Sequence, residues 1–138
     1  MRRASIALAL TLAATPAWAQ SGLQVAAVQC GSSRPDVALA GCTQIIQTQH
    51  QTKEMLVFAY NNRAWAYHTL GKDEDGLRDV DMALILAPKN PAVIETRAEI
   101  YEKLGKLDEA IADYRAALQL DPKMTQASAG LKRLGAAP

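Results

Sequence analysis

A chain of 138 residues, 49% hydrophobic but only 5% aromatic, supports one domain with a modest core. Its formal charge is +1, and without Arg2 and Arg3 thirteen basic residues face fourteen acidic ones, a net charge of −1. That balance argues against a nucleic-acid partner, whose phosphates call for a basic surface.

Arg2 and Arg3 precede an apolar run from Ile6 to Ala14, and Thr15-Pro16 leads into Ala17-Trp18-Ala19-Gln20. A positive start, a short apolar stretch and an Ala-x-Ala ending are the parts of a secretory signal peptide, here residues 1–19, with cleavage expected after Ala19. The competing reading, an uncleaved anchor, needs about 20 apolar residues to span a bilayer, and this run is shorter. No later stretch is apolar enough to span one. The expected mature chain is therefore soluble, in a bacterial periplasm or outside the cell.

Residues 20–33 show no clear pattern, and 20–35 read as an N-terminal extension. From Asp36 to about His50 the residues Ala38, Cys42, Ile45 and Ile46 follow helical spacing, which predicts a lone helix within a segment 36–56. The two cysteines, Cys30 and Cys42, form an even count, which in an oxidising compartment reads as a disulfide. The alternative is zinc, with His50 or His68 as a third ligand. Two cysteines outside any Cys-x-x-Cys pair, with only two histidines, make a poor ligand set.

Residues 57–90 overlie 91–124 without a gap. Arg63, Ala64, Tyr67, Leu70, Gly71 and Lys72 recur as Arg97, Ala98, Tyr101, Leu104, Gly105 and Lys106. Farther along, Asp79, Ala83 and Pro88 recur as Asp113, Ala117 and Pro122. A thirty-four-residue period marks a helix–turn–helix array. Small residues such as Ala64 and Ala83 let antiparallel helices approach closely. Gly71 and Gly105 suit the left-handed position that ends a helix, Pro88 and Pro122 stop the second helices, and Asp73 and Asp108 are candidate N-caps. The tail then places Met124, Ala127, Leu131 and Leu134 on one stripe, with Lys132 and Arg133 opposite. That predicts a closing helix within 125–138, with no clear pattern over 135–138.

These residues resemble the tetratricopeptide repeat family. Its pattern of small residue, tyrosine, glycine, small residues and proline appears as Ala98, Tyr101, Gly105, Ala110, Ala117 and Pro122. The first copy supplies Ala64, Tyr67, Gly71, Gly76, Ala83 and Pro88. The resemblance implies an all-α, right-handed solenoid of helix pairs: a degenerate first repeat, two full repeats and a capping helix. The cysteine arrangement resembles small secreted bacterial members of the family, in which two cysteines frame the first helix. Joining Cys30 to Cys42 would add on the order of 3 kcal/mol by loop closure.

The stretch beginning at Tyr60 holds Asn61, Asn62, Trp65 and His68, a cluster that invites a catalytic reading. No Gly-rich phosphate loop, His-Glu-x-x-His or Gly-x-Ser-x-Gly accompanies it, so no catalytic residue, cofactor or metal is expected. With Ala64 and Tyr67 on the packing face, Asn61, Asn62, Trp65, His68 and Thr69 turn toward the concave surface, which the resemblance implies binds extended peptides. An asparagine at the Asn62 position often hydrogen-bonds the ligand backbone in that family. Trp65 reads either as a groove anchor or as packing against the neighbouring unit. The second copy offers Glu95, Thr96, Glu99, Glu102 and Lys103, an acidic groove without the lysines of family members that clamp a C-terminal carboxylate. A partner carrying Lys or Arg beside an apolar residue suits it better. Arg63 and Arg97 stand sixteen residues before Asp79 and Asp113, a spacing that predicts an ion pair within each repeat, exposed arginines being the alternative. The expected role is a non-enzymatic protein- or peptide-binding scaffold of the bacterial cell envelope, the alternative being a self-associating structural module.

Overall fold

The computed structural model describes residues 17–137, with side chains from residue 21 onward. The signal-peptide reading thus falls largely outside the described residues. Its last three residues, 17–19, begin α1 (Ala17–Cys30). Then follow α2 (Pro35–Gln47), α3 (Lys53–Thr69), α4 (Asp73–Leu86), α5 (Pro91–Lys103), α6 (Leu107–Leu120) and α7 (Thr125–Arg133). Each helix packs on the next, and α1 also touches α3, α3 touches α5, and α5 touches α7. The odd-numbered helices therefore form one layer and α2, α4 and α6 the other, as in a solenoid of helix pairs.

The first pair departs from the sequence reading. Residues 20–35 are not a patternless extension, and α2 is not alone. Leu23, Ala26, Ala27 and Cys30 lie on one stripe of α1 and pack with Cys42, Ile45 and Ala59. A Cβ on Gly41 would stand 2.5 Å from the Cys30 nitrogen and 2.6 Å from the Ala26 carbonyl oxygen, so α1 and α2 meet backbone to backbone. The Cys30–Cys42 disulfide, with its Cα atoms 4.6 Å apart, fastens that contact. It consumes both sulfurs and so removes the zinc alternative.

The later pairs are built on small residues. Ala64, Ala83, Ala98, Ala110 and Ala117 are completely buried, and a Cβ on Gly76 would come within 3.1 Å of the Ala64 carbonyl oxygen. Gly71 (φ 71°) and Gly105 (φ 73°) end α3 and α5 in the left-handed region. Gly135 (φ 68°) ends α7 the same way, so α7 stands in the place of the first helix of a further unit. Its stripe of Met124, Ala127, Leu131 and Leu134 seals against Ile94 and Tyr114.

Capping follows a different rule from the one expected. Thr52 accepts from the Met55 amide, and Asn90 from the amides of Ala92 and Val93. Asp73 and Asp108 do not cap: the N-cap positions belong to Lys72 and Lys106, without side-chain bonds. Both aspartates lie inside the first turn, where negative charge still favours the helix dipole, and Asp73 directs its carboxylate elsewhere.

Candidate functional site

Arg63 donates to both oxygens of Asp79, at 2.7 and 2.8 Å, and Arg97 to both of Asp113, at 2.7 and 2.9 Å. Asp79 and Asp113 are nearly buried, and their forks join the helices of each repeat. Arg63 also reaches the Thr43 hydroxyl at 3.2 Å, which ties the second unit to α2. With those arginines committed to the scaffold, α3 and α5 turn the residues between them toward a groove.

Three adjoining depressions make up that groove. The central one lies between the turn after α1 and the middle of α3 and α5, with Ser32, Ser33, Asn61, Asn62, Trp65 and Thr96 on its walls. Toward the C-terminal ends of the helices, Trp65, His68, Thr69, Glu99, Lys103 and Arg133 border a charged depression of about 650 Å³. Toward the N-terminal ends, Val57, Phe58, Ala87 and Val93 border a more apolar one of about 360 Å³, again bounded by Asn61 and Asn62. Trp65 belongs to none of the three core clusters and lines two of the depressions, so it is a groove residue rather than core.

Much of the polarity is spent internally. The Asn62 amide donates to the Phe58 carbonyl at 2.8 Å, the Thr69 hydroxyl to the Trp65 carbonyl at 2.9 Å, and the Thr96 hydroxyl to the Ala92 carbonyl at 3.0 Å. His68 Nδ1 lies 2.6 Å from a carboxylate oxygen of Asp73, the bond that replaces the expected cap. Asn61 Oδ1, by contrast, is buried and has no partner.

The charges also differ from the acidic groove that the sequence suggested. Glu95 borders none of these depressions. It lies beside the Ala127 backbone at the start of α7, and burial raises its pKa above the ordinary value. Arg133, expected on an exposed face, donates to both Glu102 oxygens at 2.7 Å and holds that carboxyl below its ordinary pKa. Glu102 in turn accepts from the buried Tyr114 hydroxyl at 2.8 Å. Burial and that bond push the Tyr114 phenol above its ordinary value, so it remains a donor. Glu99 takes part in no ion pair among the described residues, and its pKa is raised, first by burial, although His68 and Arg133 oppose the shift. The groove is thus mixed in charge, with one half-buried carboxylate unclaimed.

The residues that the sequence reading missed are Phe58, Val57 and Val93 at the apolar end, the two serines after α1, and Arg133. One signal was present for Arg133. Trp65, Glu99 and Arg133 occupy the same place in successive thirty-four-residue units, and carrying the register into α7 puts Arg133 in the groove.

A tetratricopeptide repeat profile matches residues 62–134. Among curated proteins no sequence match was found. The Arabidopsis OM64 TPR domain is similar in structure, with a TM-score of 0.72 at 25% identity over 83% of this chain and 95% of that one. The first TPR of Spaghetti (RPAP3), bound to the HSP90 peptide SRMEEVD, has a TM-score of 0.69 at 23% identity, covering 85% of this chain and 90% of that one. The second TPR domain of human RPAP3, in complex with the HSP70 peptide SGPTIEEVD, has a TM-score of 0.65 at 23% identity, over 83% and 99%. The profile match spans more than half of the chain, and the array of helix pairs agrees with it: this protein belongs to the tetratricopeptide repeat family.

Proposed function

We propose that the protein is a non-enzymatic scaffold that binds an extended segment of a partner protein along the odd-helix groove. The observation that carries this reading is the continuity of the three depressions, linked by Asn61, Asn62 and Trp65. Trp65 offers broad apolar area and an indole N–H, the profile of an interface anchor. Two structural neighbours hold heat-shock-protein peptides that end in EEVD. Here the unpaired Glu99 and the occupied Arg133 make an acidic tail a poor fit.

The place of action we infer is the bacterial cell envelope or the exterior. The arginine-led apolar start with its Ala-x-Ala site supports export, and the Cys30–Cys42 disulfide supports an oxidising compartment. Among the described residues no helix is long and apolar enough to cross a membrane. Fractionation with N-terminal sequencing of the exported chain tests this; a protein retained in the cytosol with its leader intact overturns it.

For binding, a periplasmic extract is passed over the wild-type protein and over a folded Asn62→Ala/Trp65→Ala variant. A partner held by the first and lost from the second is the expected result, and equal capture by both moves the site off the groove. Self-association is the second reading, favoured by Val25 and Val28, which are 56% and 78% exposed on α1. Light scattering that shows dimers split by Val28→Lys would put it first.

A further inference from the structure

The two ends of the groove differ in what they lack. At the apolar end Phe58 leaves 38% of its surface exposed and shares a depression with Val57, Val93 and Asn61, whose Oδ1 is buried without a partner. A buried acceptor without a donor is unfavourable, and turning the Asn61 amide toward a ligand that brings an N–H beside an apolar side chain relieves it. An extended peptide does both, because every residue carries a backbone donor next to its side chain. At the charged end the groove already holds Arg133 on Glu102 and His68 on Asp73. Glu99 is left as a half-buried carboxylate without an ion-pair partner among the described residues, lining the same depression as Trp65 and the exposed Lys103.

Resting on the binding reading above, we infer that the groove selects a segment in which a large apolar side chain is followed or preceded, about three residues away, by Lys or Arg. The apolar side chain enters the Val57–Phe58–Val93 pocket with its backbone N–H on Asn61 Oδ1, and the cation lies along Trp65 against Glu99. The spacing follows from the helices. Val93 and Glu99 are six residues apart on α5, about 9 Å along its axis, which an extended chain covers in about three residues. Trp65 fits the space between, where its ring face attracts a cation and its bulk covers the apolar stem of Lys or Arg. The raised pKa of Glu99 agrees with a carboxylate that gains from an approaching cation.

The test is a random-peptide display selection on the full exported chain, run in parallel on Glu99→Gln and Glu99→Lys variants whose melting curves match wild type. Wild type is expected to enrich peptides pairing Phe, Leu or Trp with Lys or Arg at that spacing, by about tenfold over acidic counterparts. Glu99→Gln should erase the charge preference while keeping the apolar one, and Glu99→Lys should turn it toward Asp or Glu. Enrichment of acidic or charge-indifferent peptides that still shift the Trp65 and Asn61 resonances overturns the inference and leaves groove binding standing. So does an unchanged cation preference in the Glu99 variants. Absence of any enrichment on wild type overturns both. A second copy of the chain seated in the groove, seen as a dimer that Phe58→Ser splits, also overturns it.

Discussion

In the first helix pair α1 and α2 are joined by the Cys30–Cys42 disulfide over a backbone contact at Gly41. In the next two pairs the same inter-helix contact is held by Arg63 on Asp79 and Arg97 on Asp113. The difference follows composition. The first pair packs chiefly small residues, Ala26, Cys30, Cys42 and Ala59, around Ile45. A covalent link acts mainly on the unfolded chain and needs no apolar area. The inner units have cores of their own and use the ion pair to fix how their two helices meet. Arg63, through Thr43, also bonds to the stapled unit.

The largest expected effect tests the inner pairs. Asp79→Ala leaves the partly buried Arg63 without its carboxylate partner and is expected to cost about 3 kcal/mol in urea unfolding, whereas Arg63→Leu/Asp79→Leu should recover most of that loss. A single substitution costing under about 1 kcal/mol would reduce the pair to a surface contact. Next, Cys30→Ser/Cys42→Ser should cost about 3 kcal/mol. Hydrogen exchange should place the loss in α1 and α2, with α5 and α6 unchanged; uniform loss would mean that the staple supports the whole array. The smallest effect is at the other end. Arg133 lowers the pKa of Glu102, so this tie contributes stability above the ordinary glutamate pKa. That contribution is lost as pH falls through the lowered value of the folded state. Amides of residues 131–136 should exchange faster in that window, and Arg133→Gln should abolish the pH dependence.

The array itself was legible because its signals are local or periodic. Gly71 and Gly105 mark helix ends, Ala64 and Ala98 mark the close contacts, and the sixteen-residue spacing from arginine to aspartate marks pairs that the structure closes. The first helix was not legible. Its stripe of Leu23, Ala26, Ala27 and Cys30 follows closely on the apolar run of residues 6–14 in the sequence and is blurred by the outward-facing Val25 and Val28. Asp73 looked like a cap because its type and place suit one. Only the fold brings His68 to it across the turn.

The sequence by itself determined the thirty-four-residue period, the helix breaks and the pairing of polar residues within a repeat, since each is either local or recurs at a fixed spacing along the chain. The tertiary structure decided what the groove can offer. Asn62, Thr69 and Thr96 bond to their own helices, Arg133 crosses thirty-one residues to Glu102, and Phe58 and Val93 close a pocket with Asn61. Those outcomes depend on the angle and spacing between successive helix pairs, which side-chain packing across repeats sets and a single repeat does not encode.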